Sequence, residues 1–251
     1  MPMRISKLIA ILIPLIISSL ARAESTWETL DYITEEHPPY NYTESGIARG
    51  IAVDVLLESA ALVGLPIQRK NIYSLPWARG YQMVSKGPGV MLFSTTRTSD
   101  REPLFKWVGP IVASRIVLLA LRDKQLRVTN PKDLSAYKIG VIRDDIGHQV
   151  INQLGIENES LKISSNPVAL ANMLERGRID FWAYNEITAI WFIKKLGFDS
   201  SRFSAEYLLK EGEMYYAFSL DTADAEIDTL QKGLDQLKQQ QRYLDIINYY
   251  R

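Results

Sequence analysis

The chain contains no cysteine and only two histidines, His37 and His148, among 251 residues. Without thiols there are no disulfides, no thiolate nucleophile and no cysteine-based metal site. With so little histidine, no Ser-His-Asp order, metal-ligand cluster or phosphate-binding loop stands out, and no cofactor is expected. An excess of positive charge is also missing: 29 Lys and Arg balance 29 Asp and Glu. That balance argues against nucleic acid as a partner. Long apolar runs are absent except near the N-terminus, where Leu8 to Leu20 falls short of the roughly 20 residues that a membrane span needs. A fold without crosslinks must rest on its core, and this chain is long enough to build one large domain or two small ones.

The short apolar run follows a basic start, "MPMRISK", and ends in "ARA". This is the pattern of a secretory signal peptide over residues 1–23, cleaved after Ala23. Its removal takes Arg4, Lys7 and Arg22 and no acid, leaving the rest slightly acidic. A soluble, monomeric protein of a bacterial periplasm is the expectation.

Beyond residue 23, predicted strands and helices alternate. "WETLDYITEE" reads as an opening strand and "HPPYNYTESGIARG" as a loop. "IAVDVLLESAALVG" places Val53, Leu56, Leu57, Ala60 and Ala61 on one helical stripe closed by Gly64. "LPIQRKNIY" is a second strand candidate, "PWARGYQMVSKG" a short helix opened by Pro76, and "VMLF" a buried strand. "IVASRIVLLAL" is a longer apolar strand and "YKIGVI" another buried one. "DDIGHQVINQLG" and "NPVALANMLERG" read as helices, the second capped by Asn166 and stopped by Gly177. "RIDFWAY" and "EMYYAFSL" are strands; "NEITAIWFIKKLG", "AEIDTLQKGLDQLKQQ" and "YLDIINYYR" are helices. The alternation predicts an α/β class with mostly parallel sheets, and the pattern restarts after "SRIVLLAL" as if a second sheet began there.

One stretch asks for a ligand. "STTRTSDRE" (Ser94–Glu102) follows the predicted strand "VMLF" and sets Arg97 and Arg101 four residues apart among five hydroxyl-bearing side chains. Ligands of open α/β sheets bind beyond the carboxyl ends of the strands, and a guanidinium fork is matched to a carboxylate.

Four pieces in order resemble a known family. "PPYNYTESGIARGIAVDVLLESAALVG", "TSDREPLFKWVGP", "DLSAYKIGVIRDDIG" and "LERGRIDFWAYNE" are similar to segments of the extracellular solute-binding proteins of family 3, the periplasmic receptors of polar amino-acid ABC transporters. The resemblance runs from about "ITEEHPPYNY" to the C-terminus. It implies a two-lobed type II periplasmic-binding-protein fold, two mostly parallel sheets joined by two hinge strands. Residues 24–113 with 214–251 would form lobe 1 and 114–213 lobe 2, with "IVASRIV" and "EMYYAF" as the crossings. It implies that Arg101, three residues after Thr98, holds a ligand carboxylate, with Ser94 adding a hydroxyl. Tyr40, after Pro-Pro, would be an aromatic wall. Trp77, Arg79 and Arg97 are further candidates, each equally readable as a packing or surface residue. His37 is placed to face the cleft, and His148 reads as a surface helix residue.

Two positions depart from the family pattern. Where amino-acid binders have Gly-Thr-Thr, this chain has Asp144, Asp145 and Ile146. Acids there would repel a carboxylate; they suit helix capping, and Asp145 or Asp144 is alternatively placed to meet a ligand amine. Where the family has an acid for the ligand's ammonium, this chain has Asn185, five residues after Asp180. The expected function is capture of a small polar or carboxylate-bearing solute and delivery to a membrane permease. A ligand sensor docking to a separate membrane receptor is the alternative. A dehydratase-like enzyme is less favoured, and would be betrayed by a paired, buried acid in the cleft without a salt partner.

Overall fold

The computed structural model describes residues 26–156 and 160–250. The expected signal peptide lies outside these residues. No helix among them is long and apolar enough to cross a membrane.

Three strands, β1 (Asp31–Thr34), β4 (Ile72–Ser74) and β5 (Val90–Thr96), run parallel, with Tyr32 in register between Ile72 and Met91. Every residue of β5 is buried, as expected for a strand covered on both faces. One face packs on α2 (Ile51–Leu62), α7 (Asp224–Lys238) and α8 (Gln241–Tyr250), through a core containing Tyr32, Leu56, Phe93, Tyr216 and Leu230. The other face carries α3 (Trp77–Lys86), whose Trp77 and Val84 pack with Ile33 and Leu92. A hairpin of β2 (Tyr42–Glu44) and β3 (Ile47–Arg49) leads into α2. Gly50, at φ 119°, makes that entry: a Cβ there would sit 2.4 Å from the Tyr40 carbonyl oxygen, so only glycine lets the loop lie against the helix start.

A second parallel trio, β7 (Ile139–Ile142), β8 (Leu161–Ser164) and β9 (Phe181–Asn185), alternates with α4 (Ile146–Gln153), α5 (Pro167–Glu175) and α6 (Glu186–Lys195). Between the trios run two long strands, β6 (Lys106–Leu121) and β10 (Phe203–Phe218), each of 16 residues. They pair antiparallel from Phe218↔Lys106 to Phe203↔Leu121. The whole order is β4-β1-β5-β10-β6-β9-β7-β8. The two expected sheets are thus stitched into one ladder, because β6 and β10 are paired along their full length.

Several elements differ from expectation. "WETLDYITEE" does not open as a strand: Thr26–Thr29 is one helical turn, α1, fixed by the Tyr32 hydroxyl donating to the Trp27 carbonyl at 2.6 Å. The second strand shrinks to Ile72–Ser74 because Arg69 leaves it to bond Asp54 and the Ala48 carbonyl. "LKIS" becomes β8, and β10 starts 10 residues before "EMYYAF", its first half buried at Phe203 and otherwise half-buried or exposed. His148 is buried, not surface: α4 starts tightly on β9, where a Cβ on Gly147 would lie 2.3 Å from the Ala183 carbonyl oxygen.

Candidate functional site

The carboxyl ends of β1, β5, β7 and β9 meet at one place between the two trios. After β1 the chain runs Glu35-Glu36-His37 into a cis Pro38–Pro39 bond. Asn41 locks this loop: its amide donates to the Glu35 carbonyl at 2.9 Å, and its carbonyl accepts from His37 N at 2.7 Å. In β5, Phe93 and Ser94 stand opposite Tyr216 alone, a bulge with Ser94 at φ 50°. The bulge turns the strand toward Arg101, whose N–H bonds the Thr98 carbonyl at 3.1 Å and whose Nη1 reaches back to the Thr96 carbonyl at 3.2 Å.

From the other side comes the turn after β7. Asp144 takes a left-handed φ of 59°, and its N–H donates to His148 Nδ1 at 3.1 Å. That conformation aims the Asp144 carbonyl across the gap. It accepts Trp77 Nε1 at 2.9 Å and Arg101 Nη2 at 3.2 Å. Gln153 of α4 bonds Asp100 at 2.6 Å, and His37 stacks on Tyr184 of β9 at 5.7 Å. The two trios are therefore closed on one another. Trp77 helps line a cleft of about 480 Å³ with Glu35, Ser74, Asn166 and Lys195. A second, of about 580 Å³, holds Tyr81, Arg79, Arg143 and Asp144.

Charge is concentrated where burial is deepest. Arg101 and Tyr184 are each 1% exposed, and Glu35, His37 and Asp145 are 9%, 6% and 7% exposed. Among the described residues, Arg101 has no carboxylate within ion-pair distance. Its guanidinium instead lies over the rings of Trp77 and Tyr81, at 5.4 and 5.2 Å. Loss of water lowers its pKa, opposed by the fields of Asp145 and Glu35; an arginine remains cationic nonetheless. Burial pushes the Glu35 carboxyl well above the usual range, helped by Asp145 and Glu36 and opposed by Arg101. Burial also raises Asp145, while Arg101 and the amides of Ile146 and Gly147 act against it. Desolvation lowers His37 to about 3, so its ring is neutral. His37 Nδ1 lies 3.6 Å from Glu35, too far for a hydrogen bond. The Tyr184 hydroxyl, the Ser94 hydroxyl, both His37 ring nitrogens and Arg101 Nε are buried without a protein partner.

The residues expected in the site separate into two groups. Trp77 lines the first cleft; Arg101, whose guanidinium lies over the Trp77 ring, is buried, as are Ser94 and Asp145, and none of these three lines either cleft. Tyr40 is packed in the core, with its ring edge-on to His37 at 5.2 Å, so His37 rather than Tyr40 faces across to Tyr184. Arg97 is turned outward, its Nε and Nη2 donating to the two carboxylate oxygens of Glu102 at 2.6 and 2.5 Å, and its guanidinium lies near the rings of Trp107 and Tyr215. Arg79 is exposed at the mouth of the second cleft. Asn185 is buried, but both ends of its amide are used: Oδ1 caps α6 through Thr188 N at 3.1 Å, and Nδ2 donates to Ser114 at 3.1 Å. Glu186, beside it, pairs with Arg115 at 2.7 Å. Glu35, Tyr81 and Tyr184 were not singled out from sequence. Glu35 stands in "ITEEHPPY", where nothing in the local pattern marks it as buried.

Comparison with known proteins rests on structure alone. No family model matches the chain, and no curated protein matches its sequence. A histidine kinase sensor domain with similarity to periplasmic binding proteins superposes with a TM-score of 0.76 at 17% identity, covering 87% of this chain and 95% of that one. A mutant of ArgBP from T. maritima gives 0.76 at 16%, covering 90% and 99%. The chain has the periplasmic-binding-protein fold. ArtJ from Geobacillus stearothermophilus, an arginine-, lysine-, histidine-binding protein, shares this binding-protein fold with a TM-score of 0.73 at 17% identity, over 88% and 94% of the two chains.

Proposed function

We propose that this protein is a periplasmic solute receptor that captures a small carboxylate-bearing solute between two lobes, residues 24–113 with 214–251 and residues 114–213, and delivers it to a membrane permease. The observation that carries this reading is Arg101, a buried guanidinium with no carboxylate at ion-pair distance among the described residues. Two of its N–H groups are taken by the carbonyls of Thr96 and Asp144. A guanidinium has five N–H donors, so a fork remains for a planar anion. Trp77 and Tyr81 exclude water from it, which strengthens such a pair. The solute would dock on lobe 1 at Arg101 and Ser94. Lobe 2 would then swing about β6 and β10, bringing Tyr184 and Asp145 against it. The solute-binding proteins among the structural neighbours support this reading.

Sensing is a second reading, supported by the sensor domain of like fold; the same closure would then be read by a separate membrane receptor. We read the protein as non-catalytic, in line with its binding-protein neighbours. The buried Glu35–Asp145 pair is nevertheless what a catalyst would use, so one experiment addresses both. A thermal-shift screen of small acids, amino acids and peptides should yield a solute whose affinity falls at least about a hundredfold in Arg101→Ala, the loss expected for a buried charged hydrogen-bonded pair. Mass spectrometry of the solute after incubation should return it unchanged. Equal affinity in Arg101→Ala rejects the site, and a converted solute rejects the non-catalytic reading.

A further inference from the structure

We propose that His148 is a positioning residue for closure. Its neutral ring holds the Asp144 turn whose carbonyl joins the two strand trios, so that protonating this one side chain releases the join and opens the molecule. The inference goes beyond the solute site: it holds in the ligand-free protein and needs no solute on Arg101.

Asp144 stands in the left-handed region at φ 59°, which disfavours any residue with a Cβ. Something must hold it there. Its N–H donates to His148 Nδ1 at 3.1 Å, one helical turn further on. Its carbonyl, on the other side of the same Cα, is thereby aimed at Trp77 Nε1 and Arg101 Nη2, which it accepts at 2.9 and 3.2 Å. Gln149 Nε2 donates to the same oxygen at 3.3 Å and steadies it from α4. His148 itself has little room to move. It is 9% exposed, and its neighbour Gly147 is pressed so closely on β9 that a Cβ would lie 2.3 Å from the Ala183 carbonyl oxygen. The ring thus transmits the position of α4 on β9 to a carbonyl that bridges the gap.

Only a neutral imidazole with its hydrogen on Nε2 can accept at Nδ1. A second proton would go to Nδ1 and face the Asp144 N–H, two donors with no acceptor between them. The charged ring would gain nothing at its other end, because Nε2 is buried without a protein partner. No carboxylate among the described residues lies at ion-pair distance from His148. The elements packed on α4 do not supply one. β9 presents Ala183, and Ile116 of β6 and Leu209 of β10 pack on Ile146 and Val150. Arg115 of β6 is taken by Glu186 and Glu211. Across the gap, Asp100 is bonded to Gln153, and Arg79 and Lys86 share a cleft with Arg143 and Asp144. Burial accordingly lowers the His148 pKa below its ordinary 6.5, with the Asp144 carboxylate acting against this and Arg143 with it. Both of those charges are exposed and screened by solvent. The sign follows: the bond is present above 6.5 and is lost as the pH falls below it through the depressed value.

The test reads the Trp77 indole N–H in the nitrogen-15 NMR spectrum of the ligand-free full chain, assigned by its loss in Trp77→Phe, together with the radius of gyration from small-angle scattering. Both are followed from about pH 8 to about pH 5, across the range in which an imidazole charges. In the wild type the indole resonance should leave its hydrogen-bonded position with a midpoint below 6.5, and the radius of gyration should rise over the same range. His148→Asn puts an amide oxygen where Nδ1 stood and cannot titrate there; it should keep the bonded resonance and the compact radius throughout. His148→Leu removes the acceptor and should show the acid-form resonance already at pH 8. Glu35 titrates in all three proteins, so it cannot produce a difference between them. The proposal falls if His148→Asn follows pH as the wild type does, or if His148→Leu keeps the bonded resonance at pH 8. Should the Leu variant not fold, the comparison of wild type with His148→Asn decides alone. An indole indifferent to His148 overturns this inference and leaves the carboxylate site standing; solutes that ignore Arg101→Ala overturn that site and leave the indole result untouched.

Discussion

The two arginines of "STTRTSDRE" have opposite fates, and burial decides which. Arg97 satisfies its fork on Glu102 at the surface; Arg101, four residues on, is folded inward with only carbonyls and rings for company. Arg97→Ala should therefore leave solute affinity within about twofold and cost about 0–1 kcal/mol of stability, the worth of an exposed ion pair; a loss of binding comparable to Arg101→Ala would show that Arg97 reaches the solute after all. The titrating groups give a second prediction at this scale. Glu35 binds its proton more tightly folded than unfolded, so raising the pH from its ordinary 4.5 through the elevated folded value removes stability. His37 works the other way: the unfolded ring protonates near 6.5 and the folded one only near 3, so stability falls as pH drops through that window. Glu35→Gln deletes the first effect and keeps the second. Ligand-free Glu35→Gln should melt a few degrees above wild type at pH 8, and the gap should close as the pH approaches 4.5; a gap that is constant with pH would mean Glu35 ionises normally. That Arg101 lies just beyond a buried strand was legible, because "VMLF" followed by "STTRTSDRE" is a local pattern. Glu35 was not, because its burial comes from β4 and β5 flanking β1, which no local window contains.

At the scale of elements, helix starts place the site. Asn185 was read for its missing charge, yet its work is mechanical: it ends β9, caps α6 and ties both to Ser114 on β6. Asn185→Ala removes the cap and strands the buried Ser114 hydroxyl, so a loss of about 1–3 kcal/mol in denaturant unfolding is expected. Asn185→Asp keeps the cap acceptor and should recover a part of it, without a gain in affinity for amine-bearing solutes; a strong gain would place this side chain in contact with the solute. The same logic explains which elements sequence could supply. Helices with a cap and a glycine stop, such as α5 between Asn166 and Gly177, were legible end to end. The first half of β10 was not: in Glu206-Tyr207-Leu208-Leu209-Lys210 polar and apolar residues do not alternate, Leu208 is exposed, and only pairing with β6 makes a strand of them.

Closure belongs to the whole molecule. Parts contributed by residues more than 40 apart in sequence are joined by a single carbonyl, that of Asp144, which takes Trp77 and Arg101 together. A backbone oxygen thus uses one N–H of the group proposed to hold the solute. Outside the buried cluster, Gln153 and Asp100 tie α4 to the turn before Arg101. This exposed bond separates the energetics of closing from solute contact, because neither residue lines the cleft. If solute binding requires the closed form, every interaction present only on closure contributes to apparent affinity. Gln153→Ala should remove about 0.5–1 kcal/mol from the closed form and weaken any bound solute roughly two- to fivefold. It should do so without altering the ranking of one solute over another. Small-angle scattering should show a larger radius of gyration for ligand-free Gln153→Ala and the wild-type value once solute saturates it. Unchanged affinity together with unchanged scattering would mean that the Asp100–Gln153 bond forms in both states, and that closure is governed by the Asp144 carbonyl and the solute alone.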